Sequence, residues 1–224
     1  MSGFIIDRNR QYIYVSIPKN ASTAMRLFLE SPETPWQMHG NHMIRKHVRD
    51  LGLTAVLVSR NPYSRAVSSY RFTIHTSNVI NIWKRTLNRD VTNYSFLDWC
   101  RAVSDTNDKL LEHHSKSQLW HIRLMGGEIV VDKKQIFPSE TLHATWTVIK
   151  KMFGTDRCLT VRIPRQDKPE TRDFSDYRSL YCKESLDLVS ARYSDDFSFF
   201  GYNKCSSLAD LYNVHLHTRS TLTQ

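Results

Sequence analysis

The sequence predicts an α/β fold built on a mostly parallel sheet, and three observations carry that prediction. The run Tyr12-Ile13-Tyr14-Val15-Ser16-Ile17 has the β-branched and aromatic composition of a buried strand, stops at Pro18 and passes at once into a helical pattern with Met25, Leu27 and Phe28. A second run, Thr54-Ala55-Val56-Leu57-Val58-Ser59, is the near-continuous apolar kind that parallel sheets bury on both faces. Between and after these runs, segments with strand and helix patterns alternate, as parallel strands joined by helical crossovers require.

Taken in order, the first strand ends in the turn Pro18-Lys19-Asn20-Ala21-Ser22-Thr23, where Ser22 or Thr23 is the expected helix cap. Residues 31–40 are polar and Pro-marked. The His-rich stretch 39–47 then reads as a loop leading to a short helix that stops near Gly52. The strand over residues 54–59 delivers Arg60 to its carboxyl end. Asn61-Pro62 opens a helix, with Asn as cap and Pro at the first helical position. Its apolar stripe of Tyr63, Ala66, Val67, Tyr70 and Ile74 leaves Arg65, Ser68 and Arg71 off the buried face, so Arg65 and Arg71 read as surface cations.

Residues 77–90 show no clear period and read as irregular, whereas residues 96–103 look helical. A third strand is expected over residues 128–132, a helix over 139–153 opened by Ser139-Glu140, a fourth strand over 158–162, a charged loop over 165–175 and a last helix over 183–193. The aromatics of residues 197–202 return to the core. Beyond Cys205 the chain is polar, which divides it into one domain over residues 1–205 and a tail over 206–224.

With 224 residues, the chain is long enough to bury one substantial core. Its 31 Lys and Arg outnumber 22 Asp and Glu, and the net +9 favours anionic partners without choosing among nucleotides, nucleic acid, acidic glycans or a membrane surface. Cys100, Cys158, Cys182 and Cys205 lie far apart with no C-x-x-C pair, so buried thiols are expected rather than a zinc site or disulfide framework. Neither a signal sequence nor an apolar run of membrane-spanning length is present, so the chain as written is expected to be soluble and cytoplasmic.

In parallel α/β sheets, ligands bind beyond the carboxyl ends of the strands, which puts Lys19 and Arg60 in one crevice, each beside a helix N-terminus. Such a crevice seeks anions. A nucleotide-phosphate loop of the kinase type would need glycines, a Lys directly before Ser or Thr, and an Asp on a neighbouring strand for magnesium. Here the turn has no glycine, Lys19 comes first, and the neighbouring strand ends in Arg60, so metal-free handling of an anionic nucleotide is expected.

These motifs resemble those of sulfotransferases that use 3′-phosphoadenosine-5′-phosphosulfate (PAPS). The turn Pro18-Lys19-Asn20-Ala21-Ser22-Thr23 is similar to their 5′-phosphosulfate loop, and Arg60 through Tyr70, with Arg60 and Ser68 at the family's separation of eight, to their 3′-phosphate element. The likeness is closest to the carbohydrate (Golgi-type, family 2) enzymes. It extends to His114-Ser115-Lys116-Ser117-Gln118, which resembles their H-x-x-P-Q segment with Ser117 in place of Pro, and to a Y-x-x-D and F-G-Y close over residues 193–202. The resemblance implies a P-loop-like three-layer fold with a short, mostly parallel central sheet flanked by helices. It also implies that Lys19, Asn20, Ala21, Ser22 and Thr23 hold the 5′-phosphosulfate, that Arg60 and Ser68 hold the 3′-phosphate, and that Lys19 stabilises the leaving oxygen.

An acceptor hydroxyl needs a base that is neutral near physiological pH, which points to histidine. His39 is ranked first, because His39-Gly40 resembles the His-Gly-His element of uronyl-type relatives, and His42 second. His114 and Gln118 are read as orienting the acceptor or shaping its pocket, with a helix cap as the alternative. Arg165 and Lys168 stand in the late loop that closes over nucleotide and acceptor in relatives; a solvated charged loop is the competing reading. The function expected is transfer of a sulfuryl group from PAPS to a hydroxyl, first of all on a carbohydrate, with no metal and no membrane span. A P-loop-type small-molecule kinase and a non-catalytic basic module binding nucleic acid or acidic glycan are the alternatives.

Overall fold

The computed structural model describes residues 3–7, 9–32, 34–35, 37–38, 48, 50–123, 129, 131–155 and 176–213. Strands β1 (Gly3–Ile6), β2 (Tyr12–Val15), β3 (Gln37–Met38), β4 (Thr54–Ser59) and β5 (Ile136–Pro138) form one sheet in the order β3-β1-β2-β4-β5. The site end of the sheet is parallel: Val15 lies opposite Leu57 between β2 and β4, and Ser59 lies opposite Pro138 between β4 and β5. On the other side, β1 pairs antiparallel with both β2 and β3. The β1–β2 turn is closed by one carboxylate, since Asp7 accepts from the N–H groups of Asn9, Gln11 and Tyr12 at 3.0, 2.6 and 2.6 Å. That hairpin adds an antiparallel half to the predicted parallel core.

Alternation along the strands makes the three layers. Ile13, Val15, Ala55 and Leu57 face one apolar cluster, while Tyr14, Val56 and Val58 face the other. The second cluster is covered by α1 (Ser22–Leu29), through Met25, Phe28 and Leu29, and by α5 (Leu142–Phe153), through Trp146 and Ile149. The first is covered by α2 (Pro62–His75), α4 (Phe96–Ser104), α6 (Lys183–Arg192) and α7 (Ser194–Phe200), which contribute Tyr63, Val67, Trp99, Leu186 and Phe197 among others. Leu57 is fully buried at the centre, where truncation to Ala would cost about 2–5 kcal/mol. Helix α2 starts as its sequence predicts, with the Asn61 side chain accepting from Tyr63 N–H at 2.9 Å and Pro62 at the first position.

Four elements differ from their sequence-based expectations. Residues expected to be irregular form α3 (Ser77–Leu87), which buries Val79 and Trp83 one turn apart and ends at Asn88 in the left-handed conformation. The third parallel strand is Ile136–Pro138 rather than residues 128–132; of the latter, Ile129 makes a lone bridge to Arg123 and Val131 packs in the core. The helix expected to be last is followed directly by α7 and then by α8 (Leu208–Asn213), so part of the stretch taken for a tail inserts the fully buried Leu211. Cys100 and Cys205 are buried as expected, whereas Cys182 is exposed. The fourth strand predicted over residues 158–162 and Cys158 lie outside the described residues. Among the described residues no helix is long and apolar enough to cross a membrane.

Candidate active site

The turn between β2 and α1 is built without glycine but uses backbone conformations in which glycine is the default residue. Lys19 has φ 70° and Ala21 φ 56°, and for residues carrying a Cβ such conformations store roughly 1–2 kcal/mol each. Between them Asn20 is fully buried and donates through Nδ2 to Val58 O at 2.9 Å and to Gln118 Oε1 at 2.5 Å, which pins the turn to the end of β4. Ala21, not Ser22 or Thr23, occupies the cap position of α1, and no side chain caps the helix. Ser22 and Thr23 instead sit in the first helical turn. The leading N–H groups of α1 thus lack a side-chain cap, and the backbone twist of Lys19 to Ala21 is of the kind that turns successive N–H groups toward an anion.

A cleft of ≈ 260 Å³ opens over that turn, lined by Lys19, Ala21, Ser22, Thr23, Arg60, Ser68, Phe72 and His114 among others. Arg60, just past β4, donates from Nη1 to Lys19 O at 3.0 Å and from Nε to Ser64 Oγ at 3.0 Å. Burial pushes its guanidinium below the ordinary arginine value, with Glu140 pulling the other way and Arg65 adding to the fall; a guanidinium nonetheless stays protonated near neutral pH. Ser64, Ser68 and Phe72 recur every four residues along α2, so one helix face carries the Arg60 contact and two cleft positions. The ammonium of Lys19 lies 4.4 Å from the Phe72 ring centroid, and His114 packs on the same ring, with centroids 4.1 Å apart. Phe72 carried no signal beyond that four-residue spacing.

A second cleft of ≈ 350 Å³, sharing Ala21 and Arg60 with the first, is lined by Ser64, Ser139, Glu140 and Tyr177. Burial raises the Tyr177 phenol to about 12, and its hydroxyl has no partner among the described residues. Glu140 accepts from Asn61 N–H at 2.8 Å and from the Tyr202 hydroxyl at 3.0 Å. The two clefts flank the Arg60 guanidinium on a scale suited to a nucleotide-sized anion.

Arg65 is not the surface cation that its place on the helix suggested. It is 2% exposed and donates to Pro18 O, Lys116 O and His114 O at 3.3, 2.8 and 3.4 Å, joining the Lys19 turn to residues 114–116. Period-based reasoning fails here because a guanidinium satisfied by three carbonyls can be buried where an unpaired cation cannot. Gln118, read as orienting the acceptor or shaping its pocket, is fully buried. Its Oε1 accepts from Arg60 N–H at 3.0 Å and its Nε2 donates to Arg60 O at 2.9 Å, so it clips the strand end as a neighbouring strand would and shapes the pocket from behind. His114 does reach the cleft, with Nδ1 held 2.7 Å from Glu112 Oε2.

The close of the domain supports this wall. Asp196 caps residues 118 and 119 by accepting from their N–H groups at 2.7 and 2.9 Å, and burial raises its carboxyl to about 6 against the pull of Arg65. Tyr193 donates to Ser115 O at 2.8 Å, and the Tyr202 hydroxyl reaches both Ser59 Oγ and Glu140. The Y-x-x-D and F-G-Y residues therefore act as braces rather than ligands. Of the predicted site residues, Lys19, Ala21, Ser22, Thr23, Arg60, Ser68 and His114 line one cleft, and Asn20 and Gln118 lie buried behind it. His39, His42, Arg165 and Lys168 lie outside the described residues.

The chain matches the model of one family, described as the sulfotransferase family, over residues 2–203. No curated protein and no solved structure matches it.

Proposed function

Because the chain belongs to the sulfotransferase family, we propose that it moves a sulfuryl group from PAPS to an acceptor hydroxyl, with carbohydrate as the first acceptor class. The observation that carries this reading is the meeting of an α1 N-terminus without a side-chain cap with two cations, Lys19 and Arg60, in one cleft at the ends of adjacent parallel strands. N–H groups of residues 19–23 would take the 5′-phosphosulfate, while Arg60 and Ser68 would take the 3′-phosphate. Lys19 would neutralise the charge that grows on the bridging oxygen as the S–O bond breaks. Its ammonium rests against the Phe72 ring, and both residues line the cleft. Sulfuryl transfer resembles phosphoryl transfer in needing position and charge more than covalent help, and these residues supply both. Arg165 and Lys168 belong to the same proposal as further cations for the nucleotide.

The test is calorimetry with 3′-phosphoadenosine-5′-phosphate, followed by transfer from sulfur-labelled PAPS to a panel of glycans, lipids and small alcohols. Lys19→Ala is expected to lower turnover at least 100-fold with nucleotide affinity nearly kept, in line with loss of a charge-stabilising group, typically worth about 10²–10³. Arg60→Ala is expected to lose nucleotide affinity itself. Binding of ATP but not of the 3′-phosphorylated nucleotide, or a strict magnesium requirement, would favour a P-loop-type kinase instead.

A further inference from the structure

Glu112 is an unusual residue to find beside an anion-binding cleft. It is 6% exposed, and both of its oxygens are engaged by the segment that follows it. Oε2 accepts the His114 backbone N–H at 2.6 Å and faces His114 Nδ1 at 2.7 Å, and Oε1 accepts the Ser115 hydroxyl. Burial alone would push this carboxyl up, but the bonds from His114 and Ser115 outweigh it and hold Glu112 below the usual glutamate value, so it faces the imidazole as an anion. A carboxylate accepts only, so Nδ1 is the donor toward it, and in the neutral ring the lone pair is therefore on Nε2. The ring is held a second way, by Phe72 at 4.1 Å between centroids, and that same Phe72 ring carries the Lys19 ammonium. His114 lines the cleft with Lys19, Arg60 and Ser68.

A structural role would need only the backbone of this residue: His114 O already accepts from Ser69 Oγ at 2.7 Å and from Arg65. The side chain adds nothing to those ties. An imidazole with one nitrogen fixed by a buried carboxylate, in a cleft whose other polar residues are cations and hydroxyls, is the arrangement of a general base with its orienting group.

We infer that His114 is the base of the transfer and Glu112 its positioning residue. The inference rests on the sulfotransferase reading above. In the step, the acceptor hydroxyl gives its proton to His114 Nε2 as its oxygen forms the new O–S bond. The bond from sulfur to the bridging oxygen breaks, its electron pair stays on the nucleotide phosphate beside Lys19, and the imidazolium afterwards returns its proton to solvent.

The experiment compares wild type, His114→Ala and Glu112→Gln, with His75→Ala, an exposed histidine at the end of α2, as control. Each is assayed for 3′-phosphoadenosine-5′-phosphate affinity and for sulfur release from labelled PAPS, both to the best acceptor of the panel and to water. The expected result is a turnover loss of about 10²–10⁴ for His114→Ala, affinity within a few-fold of wild type, and partial recovery with added imidazole. Glu112→Gln should lower kcat with KM for PAPS little changed. The inference is overturned by normal turnover in His114→Ala, by a loss that imidazole leaves untouched or that tracks nucleotide affinity, or by collapse in His39→Ala or His42→Ala while His114→Ala stays active. If wild type neither binds the nucleotide nor transfers sulfur, it is the sulfotransferase reading that fails.

Discussion

Replacing Gln118 by Ala tests whether the cleft is held by one buried amide. The substitution leaves Arg60 N–H and Arg60 O without the partners they have at 3.0 and 2.9 Å and takes one of two acceptors from Asn20 Nδ2. Each buried backbone group left unpaired costs about 1–3 kcal/mol, so two give roughly 2–6, and water entering the vacated polar space lowers that to about 3 kcal/mol. For a chain of this size each kcal/mol moves Tm by about 2–4 °C, so the melting point should fall by roughly 6–12 °C. Urea denaturation followed by tryptophan fluorescence would read the same change as a shifted midpoint at constant m. Gln118→Glu fills the space but turns an acceptor toward Arg60 O, so it should lose at least as much. If both variants fall by less than about 1 kcal/mol, the clip is not what holds the strand end, and if only the alanine variant loses stability while Gln118→Glu keeps it, the loss is a packing effect.

Two further outcomes follow from the same wall and turn. Ala21→Gly, which removes a Cβ from a residue at φ 56°, should raise stability by about 0.5–1 kcal/mol after the backbone entropy of glycine is subtracted; an unchanged or lower Tm would show that the turn is not strained. Asp196 holds its proton to about pH 6 in the folded chain against 3.8 in its ordinary state. The folded state therefore binds more protons across that window, and unfolding free energy should fall by about 3 kcal/mol as pH rises through it and then level off. Asp196→Asn should flatten that slope in urea midpoints measured from pH ~4 to ~6.5, and a slope equal to wild type would assign it to another group.

The parallel half of the fold was legible because β2 and β4 are buried on both faces and so read as apolar runs. Strand β5 was not, since three residues ending in Pro138 are too short to show a period, while the longer apolar run before it drew the prediction to residues 128–132. Helix α3 escaped because its narrow buried stripe, Val79 and Trp83, is blurred by Ile80 and Ile82, which lie off it. At the site, the meeting of Lys19, Arg60 and Ser68 in one cleft was legible from motif spacing, with the two cations just past strand ends and Ser68 inside α2. Arg65 was misread as a surface cation, and the side-chain ties of Asn20 and Gln118 went unseen, because these bonds are made to partners 38 to 98 residues away: Asn20 reaches Val58 and Gln118, and Arg65 reaches Lys116. Phe72 and Glu112 went unnoticed because each meets the His114 ring, and neither the approach of Phe72 nor the burial of the Glu112 carboxylate shows in the residue pattern.

The braces contributed by Tyr193, Asp196 and Tyr202 bear on the order in which the molecule is made. The Lys19 turn and Arg60 precede by well over a hundred residues the carboxylate of Asp196, which caps residues 118 and 119, and the hydroxyl of Tyr202, which steadies Ser59 and Glu140. During synthesis, β1, β2 and β4 can pair as soon as they emerge, but the anion cleft gains its back wall only when residues 193–202 have cleared the ribosome. The cleft therefore takes its final shape only after residues 193–202 have been made and packed, as a late event in the folding of the domain.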